Sequence, residues 1–311
     1  MEEKVIYHYC SLDSFISIIK NSTLRLTNIS KSNDDAEITY CMDCFQTALL
    51  SACEKFKKLN PNNNAFSKFY DMSNIELRVN EAIKNNSLTY YVFCFSESKD
   101  LLSQWRGYAD NGKGVAIGFY STAFEKLNNE NFSFGKVKYN IYEKQDEIVN
   151  STIERLKKAK NNTETEYENI INSIITKMVY EAVFYKNNAF QEEKEWRLVY
   201  YPFGSIINLN RKHGYRDIVR NEIFYDKMIE TKEYKTITNN FIRNSISFFY
   251  RNNKIISYID INFSNHTDWI IPRIILGPKC YNDDLDLRLF LTCNGINITN
   301  IKIEKSKATY R

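Results

Sequence analysis

The stretch Gln191-Glu192-Glu193-Lys194-Glu195-Trp196-Arg197-Leu198-Val199-Tyr200-Tyr201 places three carboxylates ahead of a run of strand formers. Residues two apart in an extended chain point to the same face, so Glu193, Glu195 and Arg197 are expected to share one. Two acids beside a guanidinium support two readings. One is a surface ion-pair ladder contributing under about 1 kcal/mol. The other is a site in which one carboxylate stabilises developing positive charge while the second supplies a base.

Two further polar clusters fall at the ends of predicted strands. Tyr7-His8-Tyr9-Cys10-Ser11 closes the first, with His8 and Cys10 on one face and Tyr7 and Tyr9 on the other. Cys94-Phe95-Ser96-Glu97 closes another, and a short helix carrying Trp105 and Tyr108 follows it. Sites are commonly built at such rigid ends. Each cluster also has a plain structural reading. His8 fits a satisfied strand-end residue, and Trp105 and Tyr108, at i, i+3 beside Leu101 and Leu102, fit core packing. Asn33, Asp34 and Glu37 fit a helix N-cap with its acid partner. The same acids admit a metal-dependent nuclease or phosphotransferase, although no second ligand set stands at recognisable spacing. Cys41 and Cys44 lie on a predicted helix without a second Cys/His pair, which reads as buried thiols, so no metal site is expected.

The elements that must position these clusters follow from periodicity. Strands are predicted over 4–9, 23–27, 88–95, 115–120, 135–142, 195–201, 246–250, 255–263, 270–276 and 296–303. Ser11 caps a helix whose apolar positions are Leu12, Phe15, Ile16 and Ile19. Helical segments are expected over 37–86 and 143–186, the second breaking at Asn161-Asn162, and a last helix over 283–293. With no internal repeat and no Pro/Gly linker, the chain reads as one α+β domain, 1–311: a split or curved mixed sheet flanked by helices, with a helical insertion.

Composition narrows the function. The 311 residues are 43% hydrophobic and 26% charged, which excludes a disordered chain. Nine glycines and the absence of GxGxxG and GxxxxGK[ST] patterns give no support to dinucleotide-binding or P-loop folds. A net charge of +4, from 42 basic and 38 acidic residues, is too balanced to argue nucleic-acid binding by itself. Seven cysteines without tight pairing, a charged start at Met1-Glu2-Glu3-Lys4 and no long apolar run lead to the expectation of a cytoplasmic protein that does not enter a membrane.

Several segments resemble, in order, the bacterial domain of unknown function 2971. They are Tyr7-His8-Tyr9, Asn33 to Glu37, Cys94-Phe95-Ser96-Glu97, Trp105 to Ala109, Lys113 to Phe119, Glu193-Lys194-Glu195-Trp196-Arg197 and Ile275-Leu276-Gly277-Pro278. That family name carries no function. More distantly, a strand ending in His, a capped helix, a short strand, a mid-chain aromatic-Ser strand end and a Glu opening a late strand resemble ADP-ribosyltransferases of the DNA-modifying, DarT-like kind. The resemblance implies NAD as substrate. His8 would bond the NAD ribose, Ser96 would frame the nicotinamide pocket and Glu195 would be the catalytic acid. Glu193 would orient the acceptor, Tyr9, Trp105 or Tyr108 would stack on nicotinamide, and Arg197 would pair with the pyrophosphate or neutralise a glutamate. The serine segment departs from the family in lacking the second serine of its Ser-Thr-Ser pattern. A toxin or anti-phage effector with a nucleic-acid, protein or water acceptor, and a partner or antitoxin protein, are the implied setting. The competing reading is a non-enzymatic nucleotide- or nucleic-acid-binding module using exposed aromatics.

Overall fold

The computed structural model describes residues 4–29, 37–86, 90–127, 132–201, 246–251, 253–264, 270–282 and 284–309. Asn33 and Asp34 of the proposed acid cluster lie outside these residues, as does the side chain of Glu37.

Among the described residues ten strands form one mixed sheet. They are β1 (Val5–Cys10), β2 (Thr23–Asn28), β3 (Tyr91–Ser96), β4 (Val115–Tyr120), β5 (Phe132–Lys136), β6 (Glu195–Tyr200), β7 (Ser247–Arg251), β8 (Lys254–Asn262), β9 (Arg273–Leu276) and β10 (Lys302–Lys305). Their order is β10-β9-β4-β1-β3-β2-β8-β7, with β6 lying on β3 and β5 on β6. Only β9 and β10 pair in parallel. The helices are α1 (Leu12–Asn21), α2 (Glu37–Leu59), α3 (Asn64–Phe69), α4 (Met72–Asn86), α5 (Leu102–Tyr108), α6 (Ser121–Glu125), α7 (Ile141–Lys157), α8 (Glu164–Ala182) and α9 (Asp284–Cys293).

The sheet splits at β3. One edge of β3 pairs with β6 along its whole length, from Tyr91 opposite Tyr200 to Ser96 opposite Glu195. The other edge is shared: β1 meets it only at Ser96, through Tyr7, and β2 only at Tyr91 and Val92. Between those contacts the two neighbours have parted, leaving the middle of that edge without a backbone ladder.

Alternation along β3 and β6 gives the two faces different covers. Tyr91, Phe93, Phe95, Leu198 and Tyr200 join the core beneath α1 and α9, together with Ile6, Phe15, Leu24, Phe119 and Leu291. Val92, Val199 and Tyr201 join a second core made with the helical layer of α2, α4, α7 and α8, which includes Phe45, Val79, Ile148, Ile175 and Val179. The expected helical segments therefore form one layer over one face of the sheet.

Several boundaries differ from the sequence expectation, two of them for a clear local reason. The strand expected over 135–142 runs instead over 132–136. Asn140 caps α7 by accepting from the amide of Glu143, so Ile141 and Tyr142 already belong to a helix. The last strand is confined to 302–305, because Asn297 caps a short 3₁₀ turn over Ile298–Asn300. The break at Asn161-Asn162 is present, with Asn162 at φ +48° before the Thr163 cap of α8. Ser11 caps α1 as its sequence implies.

Candidate functional site

Glu195 opens β6 on the face that the helical layer covers farther along, at Val199. It is buried, and so are Arg197, two residues on, and Lys186, just past α8. Arg197 grips the carboxylate with two bonds, Nε to Oε1 at 2.8 Å and Nη2 to Oε2 at 2.9 Å, and spends Nη1 on the carbonyl of Val183 at 2.6 Å. Lys186 Nζ adds a contact to Oε2 at 3.3 Å. The backbone N–H of Glu195 donates to the Tyr139 hydroxyl at 2.9 Å. Burial works against the charged carboxylate, but Arg197 and then Lys186 outweigh it, and the Cys94 thiol adds a hydrogen bond, so its pKa falls to about 2. Glu195 is therefore ionised at neutral pH.

Glu193 reaches the same place by another route. Residues Asn188–Glu193 form a 3₁₀ turn and Lys194 adopts φ +45°. The strand thus begins only at Glu195, and the expectation that Glu193 and Glu195 share a face by alternation does not hold. Lys186 joins them instead: its ammonium lies 2.8 Å from Glu193 Oε2, with the Phe190 ring 4.7 Å away. The Tyr108 hydroxyl donates to Glu193 Oε1 at 3.4 Å.

Across the ladder, Ser96 is opposite Glu195 and Cys94 is opposite Arg197, so these side chains share one face. Ser96 is buried. Its hydroxyl donates to the Glu193 carbonyl at 2.6 Å and accepts from the Ser98 N–H at 3.1 Å, which fastens the turn to the end of β3. Cys94 is exposed to solvent, yet its thiol pKa is raised well above normal, first by desolvation and then by the Glu195 charge. Accessible to water and still ringed by protein is what the floor of a recess provides. Tyr108, 45% exposed, stands at its rim on α5.

The structure corrects three of the expected roles. Trp105 has no exposed surface and donates from its ring nitrogen to Asp100 at 2.7 Å, so it cannot stack on a ligand here. Tyr9 is buried against it edge-on, its hydroxyl donating to the Ser98 carbonyl at 2.7 Å and accepting from the Leu101 N–H at 3.0 Å. Both shape the β3–α5 loop, leaving Tyr108 as the one of the three with a ring open to solvent. His8 points to the opposite face from Tyr7 and Tyr9, and its ring lies 4.1 Å from that of Phe93. It still reaches the split: Nδ1 donates to the Cys94 carbonyl at 2.9 Å where no ladder bond exists. Glu195, Glu193, Arg197, Ser96 and Tyr108 are thus brought together, while His8 approaches them from behind Cys94.

Sequence reasoning missed Cys94, Tyr139 and Lys186. Cys94 is two residues before Ser96 and so on its face, a signal available from alternation alone. Lys186 sits in a charged stretch with nothing to mark it.

Residues 104–198 match the family described as Protein of unknown function (DUF2971). The match covers just under a third of the chain. The matched segment contains Tyr108, Tyr139, Lys186, Glu193, Glu195 and Arg197, whereas His8, Cys94 and Ser96 come from strands ahead of it. No curated protein and no solved structure matches the chain. Among the described residues no helix is long and apolar enough to cross a membrane.

Proposed function

We propose that this protein is an ADP-ribosyltransferase-like enzyme that cleaves NAD and passes ADP-ribose to a macromolecule or to water. The observation that carries the reading is the ionised, buried carboxylate of Glu195, fixed opposite Ser96 and beside the solvent-exposed Cys94. Breaking the nicotinamide–ribose bond develops positive charge on the ribose. A carboxylate already desolvated and held by Arg197 stabilises that charge without reorganising. The Arg197 fork, Lys186 and the Cys94 thiol already occupy the four acceptor positions of Glu195, so a ribose hydroxyl takes the place of the weakly bonded Cys94 thiol. Tyr108 supplies the exposed ring for nicotinamide. Glu193, next to the rim, is placed to take a proton from the acceptor. Arg197 acts on Glu195 rather than on the pyrophosphate, because its side chain is buried and turned onto Glu195 and the Val183 carbonyl.

A nucleic-acid or protein acceptor, a cytoplasmic toxin or anti-phage effector role and a neutralising partner belong to this proposal. Incubation with NAD, following nicotinamide release by chromatography, tests it. Wild-type release that drops at least about a hundredfold in Glu195→Gln supports it. Equal release by a Glu195→Gln variant with an unchanged melting profile removes Glu195 from the chemistry. Failure of wild type to bind or cleave NAD removes the class and favours the binding-module reading.

A further inference from the structure

The recess contains a cation that the catalytic scheme above does not use. Lys186 is buried, follows α8 and is backbone-bonded to Lys138. Its ammonium touches Glu193 at 2.8 Å and Glu195 at 3.3 Å and faces the Phe190 ring. Arg197, Cys94, Tyr108 and Tyr139 are the other titratable or charged groups around the same carboxylates and ammonium. Glu193 belongs to a 3₁₀ turn and Glu195 to a strand, with a left-handed residue between them. The Ser96 hydroxyl and the Glu97 N–H hold the backbone of the turn to β3, but the like charges of the two carboxylates oppose the approach of their side chains.

We propose that Lys186 is the positioning residue of this site: its ammonium clamps the 188–193 turn, through Glu193, onto Glu195 at the head of β6. The clamp keeps two carboxylates side by side as separate anions and holds Glu193 at the rim beside Tyr108. This deepens the enzymatic reading, but its physical content is independent of whether NAD is cleaved.

Hydrogen exchange decides the matter. The turn is reported by the amides of Phe190, bonded to the Asn187 carbonyl, Lys194, bonded to the Gln191 carbonyl, and Glu97, bonded to the Lys194 carbonyl. In Lys186→Met these three exchange at least about tenfold faster, while amides of β4 are unchanged. Lys186→Arg, which keeps the charge and the reach, restores protection. Where wild type releases nicotinamide, the acid limb of its pH profile moves up by about one unit in Lys186→Met, because Glu195 loses one of the two cations that hold its pKa down. Lys186→Arg returns it. Wild-type exchange rates at the turn in Lys186→Met overturn the proposal, and so does loosening that Lys186→Arg fails to rescue. Should Lys186→Met not fold, Glu193→Gln removes the same link while leaving Lys186 on Glu195, and the turn loosens equally. No nicotinamide release from wild type sinks the enzymatic reading alone and leaves the exchange result to judge the clamp.

Discussion

His8 donates from Nδ1 to the carbonyl oxygen of Cys94 at 2.9 Å, across the gap where β1 has left β3. A carbonyl only accepts, so the proton is on Nδ1 and Nε2 keeps its lone pair. The side chain substitutes for the missing ladder bond at the point where the sheet divides.

This geometry fixes a titration. Desolvation lowers the His8 pKa to about 4, although its bond to the Cys94 carbonyl pulls the other way. Between that value and the ordinary 6.5 the unfolded chain binds the proton and the folded one does not. The contribution of His8 to stability is therefore full above pH 6.5 and is lost as pH falls toward 4. Long-range proton–nitrogen spectra should show a neutral ring protonated at Nδ1 with no titration above about pH 5. A midpoint near 6.5 would contradict the assignment.

Glu195 and Arg197 set a second expectation. Arg197→Met leaves a buried carboxylate with Lys186 as its remaining cation, and should lower the unfolding free energy by about 3–5 kcal/mol at pH 7. The double variant Glu195→Gln/Arg197→Met should recover part of that loss, because the uncompensated charge is gone. The pH dependence has the opposite sign to that of a raised group. The folded pKa of Glu195 is depressed from 4.5 to about 2, so its contribution is present above 4.5 and disappears as pH drops through that window. Denaturant melts of wild type and Glu195→Gln should converge as pH falls from 4.5 toward 2. Parallel curves would show that the ion pair adds nothing to folding.

Cys94 offers a chemical probe of the recess. Cys94 and Cys293 are both exposed, but the Cys94 thiol is held protonated by desolvation and by the neighbouring Glu195 carboxylate. Because thiolate is the nucleophile, iodoacetamide at pH 8 should label Cys94 well after Cys293, and Glu195→Gln should speed its labelling. Peptide mass spectrometry reads both. Faster labelling of Cys94 than of Cys293 in wild type would mean that the Glu195 charge does not reach it.

Much of the fold was legible because its signals are local. Ser11 before Leu12, the Asn161-Asn162 break and the apolar run through Phe93 and Phe95 each announce an element from a few residues. The α+β class and the split sheet follow from such pieces. The 135–142 strand was misplaced because Val137, Tyr139 and Ile141 alternate like a strand, while the capping oxygen of Asn140 decides for a helix. The site was legible only in part. Ser96 and Glu195 stand at strand ends in sequence, but their pairing is a matter of register between strands about a hundred residues apart. Trp105 and Tyr108 admitted both core packing and stacking on a ligand, and only the fold separates them, because aromatics at helical spacing do not reveal which side faces out. Lys186 was invisible: only the three-dimensional return of α8 beneath β6 brings it to the glutamates.

The division of β3 between its neighbours also bears on when the recess can exist during synthesis. Its floor needs β3 and β6, whose paired residues include Ser96 and Glu195. The same sheet needs β2 joined to β8 and β4 joined to β9, near the end of the chain. A ribosome-bound fragment ending before residue 195 holds Ser96 and Cys94 but lacks Glu195 to face them, and one ending before 273 leaves the outer edge of β4 without β9. Long-range pairing of this kind forms late and slowly. Any chemistry of the recess is thereby withheld until both β6 and β9 have been made.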